Sequence, residues 1–103
     1  MMDEKRLKVV KEMEARMETL NTLYERASLM LEELAKAEAE HRALETYYYG
    51  DWSKDYDAAN RGEVPEDVSC GVLTEDLPYE TLCTHDQLGR ELLHAAHTML
   101  YRD

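Results

Sequence analysis

The first 49 residues contain neither glycine nor proline, and this absence constrains the fold more than any other feature of the sequence. The segment is rich in Glu, Lys, Ala, Leu, Met and Arg, which are good helix formers. Apolar residues recur in it at alternating spacings of three and four, which is the a/d repeat of helices that pack side by side. This apolar stripe consists of Val10, Met13, Met17, Leu20, Tyr24, Ala27, Leu31 and Leu34. The sequence therefore predicts one long helix over about residues 3–48.

The length of this helix raises the question of what covers it. At ~1.5 Å per residue it is roughly 65 Å long, whereas a compact domain of this chain length has a radius of gyration of about 13 Å. One solution is a break near Asn21, the weakest helix former midway, with the halves folded into a hairpin. The other is a continuous helix whose stripe is covered by a second copy. No further turn residue supports the break, so we expect a homodimer.

The segment over residues 50–83 has a different character. It is interrupted by Gly50, Gly62, Pro65, Gly71 and Pro78, which are typical of turns and loops. We predict an irregular region with short helical turns there.

The last part of the chain predicts a second helix, over about residues 85–101. Thr84 and Gln87 have the spacing of a capping box at its start. Leu88, Leu92, Ala95 and Met99 lie on one face of it. We predict a single all-α domain over residues 1–103, made of a long helix (1–49), the irregular segment (50–83) and a C-terminal helix (84–103) that packs on the first.

Five of the eight aromatic residues fall within residues 45–56. We name Tyr47, Tyr48, Tyr49, Trp52 and Tyr56 the aromatic corner. Such rings suit a binding platform, because Tyr and Trp are enriched at interfaces. They equally suit a small core between the long helix and the segment that follows. We favour the core and expect Tyr49, which is off the stripe, to be the exposed ring.

The sequence "GVLTED" at residues 71–76 also has two interpretations. Gly71 permits an unusual backbone angle and Thr74 can cap a helical turn with acids at its favoured end. Alternatively, Glu75 and Asp76 recognise a basic partner or act as ligands of a cation. The candidate partner-binding residues are Tyr48, Tyr49, Trp52, Tyr56, Gly71, Thr74, Glu75 and Asp76.

These two regions carry a resemblance to a known family. The pattern is L-x-x-Y-Y, W-x-x-D-Y, P-x-D and G-V-L-[ST]-E-D, with its pieces starting at Leu44, Trp52, Pro65 and Gly71. It resembles a family of small bacterial proteins that is defined only as a domain of unknown function. The resemblance implies a bacterial cytosolic protein and no particular reaction.

Candidate chemistry is sparse. His94 and His97 share a helix face, and a zinc ion would need a third ligand such as His41, His85 or a carboxylate like Asp51 or Asp55. No H-E-x-x-H, paired C-x-x-C or phosphate-binding glycine motif is present. We therefore predict no cofactor, no metal and no catalytic residue, and the sequence leaves open whether the protein is an enzyme.

The formal net charge of −11 disfavours nonspecific binding to nucleic acid or to anionic membranes. No apolar run has the roughly 20 residues of a membrane span, and the charged N-terminus does not resemble a signal peptide. Cys70 and Cys83 form no disulfide pattern. We therefore expect a cytoplasmic protein that binds no nucleic acid and no membrane.

Three functions remain open on this sequence. The first, which we favour, is a non-enzymatic protein-interaction module that self-associates through its long helix. The second is a small hydrolase or metal-binding protein that uses carboxylates and histidines. The third is an acidic mimic that binds a basic partner, although the even spread of Lys and Arg along the first helix argues against it.

Overall fold

A computed structural model of the chain describes residues 1–102. Over these residues it contains three α-helices and one 3-10 turn, and it contains no strand. The helices are α1 (Glu4–Tyr48), α2 (Trp52–Asn60) and α3 (Leu77–Leu100), and the 3-10 turn is Gly71–Leu73. The all-α prediction is confirmed, including the long first helix and the short helical turns of the middle segment.

Helix α1 runs through Asn21 without interruption, so the alternative of a hairpin at that residue is wrong. The helix begins after Asp3, whose Oδ1 accepts the Arg6 backbone N–H at 2.8 Å and caps the first turn. It ends at Tyr48. A Cβ atom on Gly50 would lie 2.9 Å from the Thr46 carbonyl oxygen, so close backbone approach selects glycine there.

The described residues form two compact units, the first being Met1–Glu38. Its helical residues belong to α1, and the apolar stripe along it is open to solvent. The large stripe residues from Val10 to Leu31 are between 43% and 53% exposed. A helix gains most of its stability in proteins from packing of its apolar face. The first unit leaves that face uncovered.

The second unit extends from Ala39 to the end of the chain and contains the end of α1 with α2, the 3-10 turn and α3. Its core is thin. Pro78 and Leu82 are the two buried residues of the described chain, and Leu44 of α1 lines one hollow with Pro78 and Thr81 of α3. Helix α3 thus packs on the end of α1, as predicted.

Helix α3 begins at Leu77 rather than near residue 85. Pro78 lies in the first turn, where its missing N–H has no helical partner to lose and its fixed φ suits the helix. The predicted capping box is wrong, because Thr84 lies inside the helix and its hydroxyl donates to the Glu80 carbonyl at 2.9 Å.

The packed face of α3 differs from the apolar face that the sequence indicates. Pro78, Leu82 and His85 point inward at spacings of four and three. By contrast, Leu88, Leu92 and Met99 are 37%, 40% and 67% exposed. The second half of α3 therefore presents an uncovered apolar surface.

Helix α2 ends in a Schellman motif. Gly62 adopts a φ of 79°, in the left-handed region that favours glycine. Its N–H bonds the Ala59 carbonyl at 3.0 Å, and the Glu63 N–H bonds the Ala58 carbonyl at 3.1 Å. This motif fixes where the chain leaves α2 toward the 3-10 turn.

Because the core is thin, the free energy of unfolding depends strongly on one buried leucine. Replacing Leu82, which is 7% exposed, by alanine is expected to lower the free energy of unfolding by about 2 kcal/mol through lost burial and a cavity. The same change at Leu93, 73% exposed on the same helix, is expected to alter it by less than about 0.5 kcal/mol. Urea denaturation followed by circular dichroism measures both, and equal effects would contradict this description of the core.

Candidate functional site

The aromatic corner is a continuous set of ring contacts in the second unit. Tyr48 meets Tyr49 edge-on and Trp52 at a tilt, with 5.1 Å between ring centroids in each pair. Trp52 and Tyr56 are stacked at 4.8 Å, with their planes 21° apart. Trp52 and Tyr56 lie one helical turn apart on α2, so a single face of a short helix presents both rings to the end of α1.

Three hydrogen bonds stabilise the corner, and each joins parts of the unit that are at least eight residues apart in sequence. The Tyr47 hydroxyl of α1 donates to Asp55 Oδ2 of α2 at 2.7 Å. The Trp52 indole N–H donates to the Val72 carbonyl of the 3-10 turn at 2.7 Å. The Tyr56 hydroxyl donates to Glu75 Oε1 at 2.8 Å. The polar groups of Tyr47, Trp52 and Tyr56 therefore have partners within the unit.

The segment "GVLTED" is part of the same arrangement. The Thr74 hydroxyl donates to the Gly71 carbonyl at 2.7 Å and accepts the Leu77 N–H at 3.4 Å, which connects the 3-10 turn to the start of α3. A Cβ atom on Gly71 would meet Leu77 Cδ1 at an ordinary 3.6 Å, so crowding does not demand glycine. Asp76 precedes α3, and its carbonyl accepts the Glu80 N–H at 2.9 Å. These residues shape the turn that starts α3.

The structure thus brings candidate partner-binding residues together, with two hydrogen bonds inside the set, Tyr56 to Glu75 and Thr74 to Gly71. By contrast, Tyr49 is 74% exposed, as the sequence predicts. Sequence reasoning missed Tyr79, which is 54% exposed on α3. The pKa of Tyr79 is raised, chiefly by hydrogen bonding with the Cys83 side chain and less by Tyr49 and Tyr48. An exposed pair of rings, Tyr49 and Tyr79, therefore flanks the corner.

Carboxylates control the ionisation of the corner. The hydrogen bond to Asp55 is the main cause that raises the pKa of Tyr47 to about 12, since a tyrosinate beside a carboxylate loses the bond and meets a like charge. The bond to Glu75 raises the pKa of Tyr56 for the same reason. Both hydroxyls stay protonated donors at neutral pH.

The histidines are grouped differently from the arrangement that the sequence indicates. His97 lies against Tyr101, with ring centroids 5.1 Å apart, and within residues 1–102 neither His94 nor His97 joins a cluster of three metal-binding side chains. Such a cluster is instead formed by His41, His85 and Asp86.

The surface near the corner offers little for catalysis. The hollow between α1 and α3 is lined by Leu44, Gly71, Val72, Leu77, Pro78 and Thr81. None of these side chains is an acid or an imidazole, so none can move a proton to a substrate held there. The carboxylates of Asp55 and Glu75 lie outside this lining and accept hydrogen bonds from the corner rings.

Comparison with known proteins identifies the class of this chain. The family model "Domain of unknown function (DUF4298)" matches residues 10–95, so the chain belongs to that family. The match covers the stripe, the corner and most of α3. Neither the curated proteins nor the solved structures include a significant match. Across the part of the chain that the structure describes, no helix combines the length and apolar character that a membrane crossing requires.

The Tyr47–Asp55 bond predicts a specific alkaline response. Because the folded pKa of Tyr47, about 12, exceeds the ordinary 10.0, the bond contributes stability that is full below pH 10 and is lost as the pH rises through 12. In Asp55→Asn the pKa of Tyr47 is expected to fall toward 10.0. NMR titration of the tyrosine rings measures this. Asp57→Asn, two residues away on α2, is the control and should leave the Tyr47 titration unchanged.

Proposed function

We propose that this protein is a non-enzymatic helical interaction module that self-associates through the apolar stripe of α1. One observation carries the proposal, namely that the large stripe residues from Val10 to Leu31 stay 43–53% exposed in a single copy. Monomeric soluble proteins rarely expose a contiguous apolar surface of this extent. The a/d spacing gives a partner helix positions for knobs-into-holes packing.

A second copy is the occupant that fits the stripe best. An interface around a two-fold axis uses the same surface from both chains, so one stripe supplies both halves. The opposite face of α1 also contains an apolar residue, Leu29, which is 58% exposed but stands outside the a/d repeat. The repeat, rather than scattered apolar residues, therefore defines the proposed interface.

Charge separates this proposal from that of an acidic mimic. Each chain has a formal net charge of −11, so two copies repel each other over long range. Added salt screens that repulsion, and self-association should strengthen from low to moderate ionic strength. Binding of a basic partner by an acidic mimic would weaken over the same range. The direction of the salt effect therefore distinguishes the two functions.

We also propose that the aromatic corner makes a second contact, with a different protein. Tyr49 presents 74% of its surface, and its hydroxyl is outside the three hydrogen bonds that fasten the corner. Glu75, whose Oε1 accepts the hydrogen bond from the Tyr56 hydroxyl, adds a negative charge to the proposed contact surface. Tyr49→Ala should therefore weaken such a contact while the corner stays folded.

The location that goes with this function is the cytoplasm. Cys70 and Cys83 are both thiols in the structure, which agrees with a reducing compartment. A hydrolase remains the alternative function, but the hollow at the corner has no acid or imidazole in its lining.

The dimer is tested by matched leucine substitutions. Leu31→Lys places a charge in the stripe and is expected to give a particle of 12.0 kDa, the mass of one chain, whereas the wild type at tens of micromolar gives twice that mass. Leu29→Lys makes the same change two residues away, off the stripe, and should keep the wild-type mass. Light scattering after size exclusion measures all three.

Two results would contradict the proposal. One is a wild-type monomer at tens of micromolar with full helix content by circular dichroism. The other is equal loss of the dimer in Leu31→Lys and Leu29→Lys, since that outcome would assign the interface to general apolarity of α1 rather than to the stripe.

A further inference from the structure

Two histidines that are far apart in the sequence are stacked in the second unit. His41 lies near the end of α1 and His85 lies on α3, with their ring centroids 3.5 Å apart and their planes 9° from parallel. Their side chains are 14% and 35% exposed, so the pair is partly shielded and remains open to an ion. Asp86 adjoins them, and one donor atom from each of the three residues lies within 4.8 Å of the other two.

The geometry at His85 and Asp86 is close to that of two ligands on one ion. His85 Nδ1 and Asp86 Oδ1 are 2.9 Å apart. Nitrogen and oxygen ligands at about 2.0–2.2 Å from a tetrahedral zinc ion lie roughly 3.4 Å from each other. An ion can therefore replace the proton that the two atoms share, with a movement of only about half an ångström.

The donor set of the cluster suits a metal ion. Imidazole nitrogen and carboxylate oxygen are both ligands of zinc, and the three residues offer two imidazoles and one carboxylate.

Charge around the cluster favours a dication. Glu45 Oε2 lies 3.7 Å from His41 Nε2, one turn further along α1. Asp86 and Glu45 together supply two negative charges against one positive charge on Arg90, so these three groups leave one net negative charge that attracts a cation. The mixture of imidazole and carboxylate donors matches zinc and its late first-row neighbours rather than magnesium or calcium, which prefer oxygen ligands.

We propose that His41, His85 and Asp86 form a binding site for one divalent late-transition-metal ion, such as Zn²⁺, that links the last two turns of α1 to the first half of α3. Parallel rings direct their lone pairs into separate planes, so the stack opens when the ion binds. Rotation about the Cβ–Cγ bonds achieves this, because that torsion is soft in histidine.

The proposal depends neither on self-association nor on the apolar stripe. All three ligands lie in the second unit, from Ala39 onward. A monomeric protein would still bind the ion, and a dimeric protein that binds none would still be an interaction module. The two proposals therefore fail separately.

Titration calorimetry of the full chain with ZnCl₂, at a pH about one unit above the ordinary histidine value of about 6.5, tests the site. The expected result is one ion per chain with a dissociation constant on the order of micromolar. Single substitutions His41→Ala, His85→Ala and Asp86→Asn should each weaken binding about tenfold or more. Binding should also release protons and weaken below pH ~6.5.

The matched control is the double substitution His94→Ala with His97→Ala, which removes two imidazoles from the same helix as His85. It should leave the affinity unchanged. Asp86 is 62% exposed, so Asp86→Asn is expected to fold even if the histidine variants are weakened. Zinc should raise the Tm of the wild type by several degrees and that of Asp86→Asn by much less.

Three outcomes would overturn the proposal. They are the absence of stoichiometric binding tighter than about 100 µM, a loss of binding that follows His94 and His97 instead, and an equal zinc-induced rise in Tm in the wild type and in Asp86→Asn.

Discussion

The hydrogen bond from the Trp52 indole to the Val72 carbonyl is the interaction on which the second unit most depends. It joins α2 to the 3-10 turn across 20 residues of sequence, and the residues between these elements are mostly exposed. Because Pro78 and Leu82 are the two buried side chains of the described chain, apolar burial contributes less here than in an ordinary domain. Ring stacking and the three directed hydrogen bonds of the corner supply the specificity that a larger core would give.

The same shortage of core explains why tyrosine and tryptophan, rather than phenylalanine, fill the corner. The chain contains seven tyrosines and no phenylalanine. A phenyl ring would bury as much area, but it has no donor for Asp55, Glu75 or the Val72 carbonyl. Tyr47, Trp52 and Tyr56 therefore provide apolar surface and also a directed link to another part of the unit.

The sequence predicted the helices well where local physics decides. Absence of glycine and proline, together with the a/d repeat, correctly indicated α1 to within about one residue at each end. The start of α3 was placed too late because Pro78 was interpreted as a turn signal, although the first turn of a helix accepts proline. Local sequence signals cannot separate these two uses of proline, since the burial of Pro78 and Leu82 in the tertiary fold decides between them.

The sequence predicted the exposed ring of the corner, but it did not predict which histidines lie against each other. Tyr49 as the exposed ring followed from its position off the stripe. The stacking of His41 on His85 did not follow, because it joins residues 44 positions apart. The sequence indicated His94 and His97 instead, because their spacing places both on one face of the same helix.

Trp52 allows the unfolding of the aromatic corner and that of α1 to be followed by two different spectroscopic signals. It is the sole tryptophan, and it is stacked on Tyr56 with its indole N–H bonded. Its emission therefore reports the corner alone, whereas far-ultraviolet ellipticity is dominated by the 45 residues of α1. If the two signals change at different denaturant concentrations, the chain does not unfold as one cooperative system, and the order of the two transitions shows which part is the weaker.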